Sequence, residues 1–361
     1  MKKILVIQTA FVGDLFLSIP FLKQLKKIFP DGYVSILCRQ GTGEFLTKTG
    51  LVDNSIEVDK KNKSQLNRNL KELYNENFDM LFCLHQSIRS HLISLKIHAS
   101  HKYGFKNFWN FFVFDSRINK DYSRPDALRQ LSLLGVVDKD VLAKIESLSD
   151  CHGKNLTLQE STKDYFFKES IPPWASMNVA DHIKPTILLS ELSTYISSRK
   201  TIFIAPGSVW ATKKWSKEGY REVIEEWVDE ANIVLVGSKG EIELCQELAK
   251  GIDSIIDLSG QTSLYELAGV FKQGDVLVTN DSGAMHVAAS AGLPILSIFG
   301  PTTLKIGYRP WSSQATVIQR PLKCRPCGKH GHDKCPIGTH ECMKSISAKV
   351  VSSHLKKYFL T

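Results

Sequence analysis

The sequence predicts a two-domain α/β protein built on parallel sheets. Short apolar runs, typical of strands buried on both faces, alternate along the chain with longer helical-looking stretches. The predicted strands are residues 4–7, 33–37, 80–84, 201–205, 233–236, 276–279 and 295–299, and the clearest predicted helices are residues 15–29, 217–230, 241–250 and 263–271. This alternation is the pattern of a parallel sheet covered by helices on both faces.

The length of 361 residues favours two domains, because it is too great for one small core. The strand–helix pattern breaks once, over residues 148–199, which are polar and irregular and contain Pro172, Pro173 and Pro185. We therefore expect an N-terminal domain at 1–184 and a C-terminal domain at 185–346. A helix is predicted in 347–361, and it is expected to cross back onto the first domain.

The composition is that of an ordinary globular protein with a basic surface. Hydrophobic residues make up 43% and charged residues 23%, and 46 basic against 37 acidic side chains give a formal charge of +9. Such a charge indicates either a basic solvated surface or attraction to nucleic acid, anionic lipid or a phosphorylated substrate. Because no paired-Cys/His finger or aromatic stacking motif is evident, we expect no nucleic-acid partner.

The N-terminus resembles a signal peptide only at first sight. Lys2 and Lys3 precede an apolar run, but Gln8, Thr9 and Asp14 interrupt it and a small-residue cleavage site is missing. No apolar stretch approaches the roughly 20 residues that span a bilayer. We therefore expect a cytoplasmic protein, with peripheral docking on the inner face of the inner membrane as the further expectation.

A phosphate site is predicted where the strand at 276–279 meets a helix. The sequence there is TNDSGAMH at 279–286. Ligands of parallel sheets bind beyond the carboxyl ends of strands, and the N–H groups that open a helix favour phosphate. Gly283 permits close approach and Ser282 adds a hydroxyl, whereas Asp281 is expected to accept sugar hydroxyls or to brace the loop. The alternative is that Asp281 or Ser282 merely caps the helix, but Gly in the first turn costs about 1 kcal/mol relative to Ala.

Two more strand ends carry candidate groups. PGSVWATKKW at 206–215 places Ser208, Thr212 and Lys213 after a strand, and Lys213 is a candidate to neutralise a departing diphosphate. Its alternative is a solvated loop lysine. QTAFVGD at 8–14 follows the first strand, and Asp14 is either a general base for an acceptor hydroxyl or an ordinary first-turn helix aspartate.

Together these segments resemble glycosyltransferase family 9, the ADP-heptose:lipopolysaccharide heptosyltransferases. The matching segments are VIQTAFVGD at 6–14, PGS and KKW at 206–208 and 213–215, and NDSGAMH with FGPT at 280–286 and 299–302. The resemblance covers the chain from residue 1 to the C-terminus and is least at about 150–185. It implies a GT-B architecture, in which an acceptor-binding and a nucleotide-sugar-binding Rossmann-like domain face each other across the active-site cleft.

The resemblance also implies roles for individual residues. It makes Asp14 the catalytic base and Lys213 the lysine that contacts the diphosphate of ADP-heptose. The implied donor-binding residues are Ser208, Thr212, Glu241, Thr262, Asp281, Ser282, Gly283 and His286. Glu241 falls where a carboxylate would bind the ribose, in agreement with strand-end carboxylates of nucleotide-binding sheets, and Thr262 falls near the adenine.

The acceptor side is less marked. Arg89 resembles the arginine of an arginine–serine pair in the family's N-terminal domain, and Lys102 is one of several basic residues that follow it. An anionic lipopolysaccharide inner core, rich in phosphate and carboxylate, would suit these cations. A solvated helix face is the alternative for each of them.

Four cysteines crowd near the C-terminus with three histidines between them. They are Cys324, Cys327, Cys335 and Cys342. Four thiols could close a structural zinc site, although this spacing fits no zinc module, and the alternative is reduced thiols in a surface loop. The cysteines also slightly favour the heptosyltransferase II type, which adds the second inner-core heptose.

The predicted reaction is an inverting heptosyl transfer that needs no cofactor. The helix N-terminus and Lys213 would stabilise the leaving ADP, so that a catalytic metal is unnecessary. The alternatives are a transferase of the same family with another donor or acceptor, and a non-catalytic nucleotide-sugar-binding module. The presence of both Asp14 and Lys213 argues against the module.

Overall fold

The computed structural model describes residues 1–59, 62–154, 171–184, 195 and 199–359. They form two compact units: the first takes in the described part of 1–156 with 172–177, and the second takes in residue 171 with the described part of 178–361. The domain limits expected at 184 and 346 remain a prediction. Predicted residues 185–194 of the second domain lie outside the described residues.

The first unit is built on a parallel sheet of six strands. They are β1 (Lys3–Gln8), β2 (Tyr33–Arg39), β3 (Asn54–Val58), β4 (Asn77–Cys83), β5 (His98–Phe105) and β6 (Ser116–Ile118), in the order β3-β2-β1-β4-β5-β6. The helices are α1 (Val12–Phe16), α2 (Ile19–Ile28), α3 (Gly43–Lys48), α4 (Lys63–Tyr74), α5 (Ile88–Lys96), α6 (Asp126–Leu131) and α7 (Lys139–Lys154).

The second unit repeats this topology. Its strands are β7 (Thr201–Ala205), β8 (Asn232–Leu235), β9 (Ile256–Asp257), β10 (Val276–Asn280), β11 (Ile295–Phe299) and β12 (Ala315–Gln319), in the order β12-β11-β10-β7-β8-β9. The helices are α8 (Lys217–Trp227), α9 (Ile242–Ala249), α10 (Leu264–Phe271), α11 (Gly283–Ala291), α12 (Glu341–Lys344) and α13 (Ala348–Phe359). The predicted α/β class with parallel sheets is therefore confirmed.

The central strands form because their side chains are buried on both faces. Every residue of β7, β10 and β11 is buried, which explains why these strands are continuous apolar runs in the sequence. All seven predicted strands are present. Among the described residues, five strands were missed. Four of them, β3, β5, β6 and β9, carry exposed or half-buried residues, and their sequences lack an apolar run. The fifth, β12, is mostly buried, but Thr316 and Gln319 leave its sequence without a continuous apolar run.

One helix prediction is wrong in its continuity. Residues 15–29 were expected to form a single helix, but the chain forms α1 and then α2, which begins at Ile19 with Pro20 in its first turn. Proline has no backbone N–H, so it is tolerated at the start of a helix and disfavoured inside one. The break at Leu17 and Ser18 therefore follows from Pro20.

The C-terminal helix α13 completes the core of the second unit. Val351 and Leu355 are fully buried in the same cluster as Trp227, and Trp227 Nε1 donates a hydrogen bond of 3.2 Å to Ser352 Oγ. The expectation that this helix crosses back onto the first domain remains a prediction. Among the described residues, no helix is long and apolar enough to cross a membrane.

We predict that Leu355→Ala lowers the free energy of unfolding by about 2–5 kcal/mol, because it leaves a cavity in the core. The control is Lys349→Ala, on the exposed side of the same helix, which should change it by less than about 0.5 kcal/mol. Urea denaturation followed by tryptophan fluorescence measures both. Equal stability of the two variants would show that α13 is not part of this core.

Candidate functional site

The candidate site of the second unit lies at the carboxyl ends of its central strands. The strand order reverses between β7 and β10, because the chain proceeds from β7 to β8 on one side and returns to β10 on the other. Ligands of open parallel sheets bind at such a reversal, where loops that follow the two strands diverge. The loops after β7 and β10 carry most of the predicted donor-binding residues.

Asn280, the last residue of β10, fixes the loop that follows β7. Its side-chain Nδ2 donates hydrogen bonds to the carbonyl oxygens of Pro206 at 2.7 Å and Gly207 at 3.2 Å. Its Oδ1 accepts one from the backbone N–H of Trp215 at 2.9 Å. Asn280 is fully buried, so its amide holds two loops together where solvent does not compete. The sequence analysis gave Asn280 no role of its own.

A buried ion pair occupies the centre of the site. Lys213 Nζ lies 2.6 Å from Asp281 Oδ2, and the two side chains are 11% and 6% exposed. Thr302 Oγ1, in the loop after β11, donates to the same carboxylate oxygen at 2.6 Å. Asp281 was expected either to accept hydrogen bonds from sugar hydroxyls or to brace its loop. Its contacts with Lys213 and Thr302 are of the bracing kind, and a contact with the sugar remains a prediction. Thr302 is a further missed residue, although FGPT was part of the family resemblance.

The first turn of α11 has the character of an anion site. Ser282 is the residue before Gly283, and its Oγ lies 3.1 Å from Thr279 Oγ1. Within the described residues, the Ser282 side chain makes no hydrogen bond that caps the helix, so the simple capping alternative does not describe it. The opening N–H groups of a helix have no intrahelical partner and carry its positive dipole end.

Glu241 packs directly against the loop after β7. A Cβ placed on Gly207 would lie 1.7 Å from Glu241 Oε1, so a larger residue there would displace the Glu241 carboxylate. Glu241 Oε2 accepts hydrogen bonds from the backbone N–H and the hydroxyl of Ser238 at 2.6 and 2.9 Å. The backbone bond is one half of a capping box, in which the Ser238 side chain also accepts from the Glu241 backbone N–H. The carboxylate is thus held beside the loop, and its role toward ribose remains a prediction.

The remaining donor candidates surround these groups at different depths. Ser208 Oγ donates to the carbonyl oxygen of Asp281 at 3.4 Å. His286 is buried in the first turn of α11. Thr262 is half-buried just before α10, and Gly260 N–H in the same turn donates to the Gly237 carbonyl at 2.8 Å. Thr262 therefore lies on a turn that is tied to the one carrying Glu241.

Thr212 is engaged by the cysteine- and histidine-rich segment, which we define as residues 324–342. The backbone N–H of Thr212 donates to the His332 carbonyl at 3.0 Å, and the backbone N–H of His332 donates to Thr212 Oγ1 at 2.8 Å. His340 Nε2 lies 2.7 Å from the Thr212 carbonyl oxygen. The segment thus anchors the residue next to Lys213, and a donor contact by Thr212 remains a prediction.

The four cysteines of this segment are free thiols. Burial raises the pKa of Cys342 to about 11, and burial with the neighbouring thiols raises the pKa of Cys327. The backbone N–H of His340, which donates to its sulfur, is the main cause that lowers the pKa of Cys335. Among the described residues, no group of three or more His, Cys, Asp or Glu side chains is placed to hold a metal ion. The two alternatives for the cysteines, a structural zinc site and reduced surface thiols, both remain predictions.

In the first unit, buried amides position Asp14. Asp14 lies half-buried in α1, and its backbone carbonyl accepts a hydrogen bond of 2.9 Å from Gln130 Nε2. The same amide contacts Asp126 Oδ2 at 2.7 Å, while Gln130 Oε1 accepts from Gln8 Nε2 at 2.9 Å. Gln130 was missed, because its proximity to Asp14 depends on packing between segments more than 100 residues apart.

A second polar cluster lies where β1 and β4 end. His85 Nδ1 is 3.0 Å from Thr9 Oγ1, 3.0 Å from Ser90 Oγ and 3.4 Å from Ser87 Oγ. Thr9 begins the turn that leads to Asp14, so this cluster fixes the start of that turn. The sequence analysis missed His85, although its position directly after a predicted strand was a signal.

The two acceptor candidates lie toward opposite ends of α5. Arg89 is exposed in the first turn, whereas Lys102 Nζ donates to the carbonyl oxygen of Leu95, near the last turn, at 3.2 Å. Leu95 lies six positions after Arg89 on the helix, a rise of about 9 Å along the axis. The two cations therefore border different turns of α5, and their acceptor roles remain predictions.

Comparison with known proteins gives consistent similarities. The family model described as glycosyltransferase family 9 (heptosyltransferase) matches residues 66–336. Lipooligosaccharide heptosyltransferase 2 of Haemophilus influenzae is 25% identical, with 98% of each chain covered. Lipopolysaccharide heptosyltransferase 2 of Escherichia coli is 24% identical, with 88% of each chain covered.

Solved structures show the same fold. The E. coli ADP-heptose LPS heptosyltransferase II has a TM-score of 0.70 at 21% identity, covering 99% of this chain and 98% of that one. E. coli heptosyltransferase WaaC with ADP has a TM-score of 0.71 at 16% identity, covering 99% of both chains. These likenesses, together with the two six-stranded parallel sheets, confirm the predicted GT-B class. The facing arrangement of the domains and the cleft between them stay a prediction.

We predict that Lys213→Ala and Asp281→Ala each lower the free energy of unfolding by about 3–5 kcal/mol, because each leaves one buried charge without its partner. The double variant should lose less than the sum, with a coupling of about 0.5–3 kcal/mol. The control cycle is the exposed pair Glu44 and Lys48, whose coupling should stay below about 0.5 kcal/mol. If the losses of unfolding free energy at Lys213 and Asp281 were additive, the two side chains would not form an interacting pair.

We also predict that Cys335 is alkylated before Cys342 at pH 7.5. A lowered pKa gives Cys335 the larger thiolate fraction, and the thiolate is the nucleophile. The difference should shrink as the pH rises toward 11, where Cys342 also ionises. Timed iodoacetamide labelling with peptide mass spectrometry measures both rates, and earlier labelling of Cys342 would show that the assigned acidities are wrong.

Proposed function

Because the chain belongs to glycosyltransferase family 9, the heptosyltransferases, we propose that it transfers heptose from ADP-heptose to a sugar hydroxyl of the lipopolysaccharide inner core. The observation that carries the proposal is the buried Lys213–Asp281 pair beside the N-terminus of α11. The heptosyltransferase 2 relatives and the ADP in the WaaC structure support the donor and the acceptor class. With an inner-core acceptor, the protein would act at the cytoplasmic face of the inner membrane.

In this proposal the second unit binds the diphosphate. The opening N–H groups of α11 and the Ser282 hydroxyl supply hydrogen-bond donors, and Lys213 supplies the positive charge. A lysine ammonium has three donors, so Lys213 keeps its contact with Asp281 while it also donates to a phosphate oxygen. Asp281 therefore serves as a positioning residue that aims Lys213, and it avoids direct contact with phosphate.

The proposed chemistry is a single displacement with inversion at the anomeric carbon. The acceptor oxygen forms the new bond to that carbon as the bond to the ADP oxygen breaks, and the hydroxyl proton passes to the Asp14 carboxylate. Negative charge grows on the leaving diphosphate, where Lys213 and the α11 N–H groups stabilise it. The Gln130 contact to the Asp14 backbone holds the turn on which the base sits.

The activity is tested by acceptor-dependent release of ADP. The purified protein is incubated with ADP-heptose and core-truncated lipopolysaccharide, and mass spectrometry checks for an acceptor heavier by one heptose. The proposal expects both ADP release and the heavier product. Donor binding without acceptor-dependent ADP release would instead indicate a binding module.

We predict that Asp14→Asn reduces kcat by about 10²–10⁴, because the amide cannot accept the hydroxyl proton. The dissociation constant for ADP-heptose should be unchanged, since Asp14 acts on the acceptor. Asp31→Asn, an exposed aspartate of the same unit, is the matched control and should keep normal turnover. Turnover of Asp14→Asn near that of the control would show that Asp14 is not the base.

A further inference from the structure

Helix α5 of the first unit is amphipathic, but its large apolar side chains lie on the exposed side instead of the buried side. Its buried side is made of Ser90, His91, Ile93 and Ser94. Its large apolar residues face outward instead, with Ile88 64% exposed, Leu92 50% and Leu95 42%. Spacings of four and three residues place these three side chains on one face. A helix that only had to cover the sheet would turn that face inward.

An aromatic loop extends this apolar face. Phe108 is 91% exposed, Phe111 65% and Phe112 56%. His91 of α5 lies 5.0 Å from the Trp109 ring, and Trp109 lies 6.3 Å from the Phe112 ring. The loop therefore packs against α5 through His91, so its three exposed phenylalanines and the three exposed side chains of α5 belong to two elements in contact.

We call these six side chains the apolar patch; they are Ile88, Leu92, Leu95, Phe108, Phe111 and Phe112. They make up half of the twelve large apolar side chains that are exposed in the described residues. Such a concentration on one surface marks an interaction site, whereas scattered single exposures are normal.

Basic residues accompany the patch. The segment 88–117 contains five Lys or Arg residues and a single acidic residue, Asp115. The basic residues are Arg89, Lys96, Lys102, Lys106 and Arg117. Lys102 Nζ reaches the Leu95 carbonyl, and Arg117 Nη1 lies 3.4 Å from Asn110 Oδ1 in the aromatic loop, so these cations border the patch.

We propose that the apolar patch and its basic border dock the first unit on an anionic lipid bilayer. The phenylalanines and the α5 side chains enter the boundary between headgroups and acyl chains, and the cations contact anionic headgroups. The inference deepens the proposed function, since a lipid-linked acceptor would then meet Arg89 and the carboxyl ends of β1 and β4 close to the membrane surface.

Vesicle cosedimentation tests the docking directly. In low salt, the wild-type chain should bind vesicles made of phosphatidylcholine and phosphatidylglycerol in a ratio of about 7:3. Binding should be weaker by about tenfold on phosphatidylcholine alone or in roughly 0.5 M NaCl, because salt screens the headgroup attraction. Phe108→Ser/Phe111→Ser should also lose about tenfold, because two inserted rings are removed.

Controls separate docking from misfolding and from other occupants. Ile337→Ser removes an apolar side chain that is 59% exposed in the second unit, and it should bind vesicles like the wild type. The double phenylalanine variant should keep the wild-type melting temperature and donor affinity. Equal vesicle binding by this variant and the wild type would overturn the proposal. So would a wild-type dimer in gel filtration that the variant loses, because the patch would then join two copies.

The same variants distinguish failure of the docking from failure of the proposed function. With acceptor embedded in vesicles, Phe108→Ser/Phe111→Ser should transfer heptose about tenfold more slowly than wild type, whereas with detergent-dispersed acceptor the two should be equal. Equal rates in vesicles would overturn the docking alone. Vesicle binding without heptose transfer to either acceptor form would overturn the proposed function and leave the docking in place.

Discussion

The ion pair between Lys213 and Asp281 is the interaction on which the candidate site depends. It joins the loop after β7 to the turn after β10, and Thr302 adds the loop after β11 to the same carboxylate oxygen. Both charges are largely removed from water, so each requires the other. A buried pair of this kind is weak evidence for stability alone. Its value here is geometric, because it fixes a cation beside the positive end of α11.

Uncharged hydrogen bonds around the ion pair help to hold Lys213 in the same position. The Asn280 amide bonds both to the turn at Pro206 and Gly207 and to the backbone of Trp215, on either side of Lys213 along the chain. The segment 324–342 anchors Thr212 from the other direction. Lys213 is therefore held by fixed neighbours on both sides, which reduces the reorganisation needed when a diphosphate arrives.

Much of the fold follows from local sequence. Central strands such as β7 and β10 are uninterrupted apolar runs because both of their faces are covered, and the turns after them carry Gly and polar residues. The edge strands β3 and β6 were not predictable in this way, since their exposed residues leave no apolar run. Pro20 was a sequence signal for the break between α1 and α2. The prediction of one continuous helix followed the apolar periodicity of residues 15–29 instead.

The site residues at the strand ends were predictable from the sequence, whereas the residues that hold them in place were not. Asp281 and Ser282 follow β10 directly and Lys213 lies in the loop after β7, so their positions come from the order of strands and turns. Asn280 and Gln130 act through hydrogen bonds to segments that are distant along the chain, and such contacts depend on packing that a sequence pattern does not contain. Glu241 lies beside Gly207 for the same reason.

The most direct test of the central claim is a crystal structure of the protein with ADP. The account predicts phosphate oxygens within hydrogen-bond distance of the Ser282 and Gly283 N–H groups and of Lys213 Nζ, with the contact from Lys213 to Asp281 retained. A diphosphate bound away from the first turn of α11, or Lys213 detached from both Asp281 and the phosphates, would contradict it.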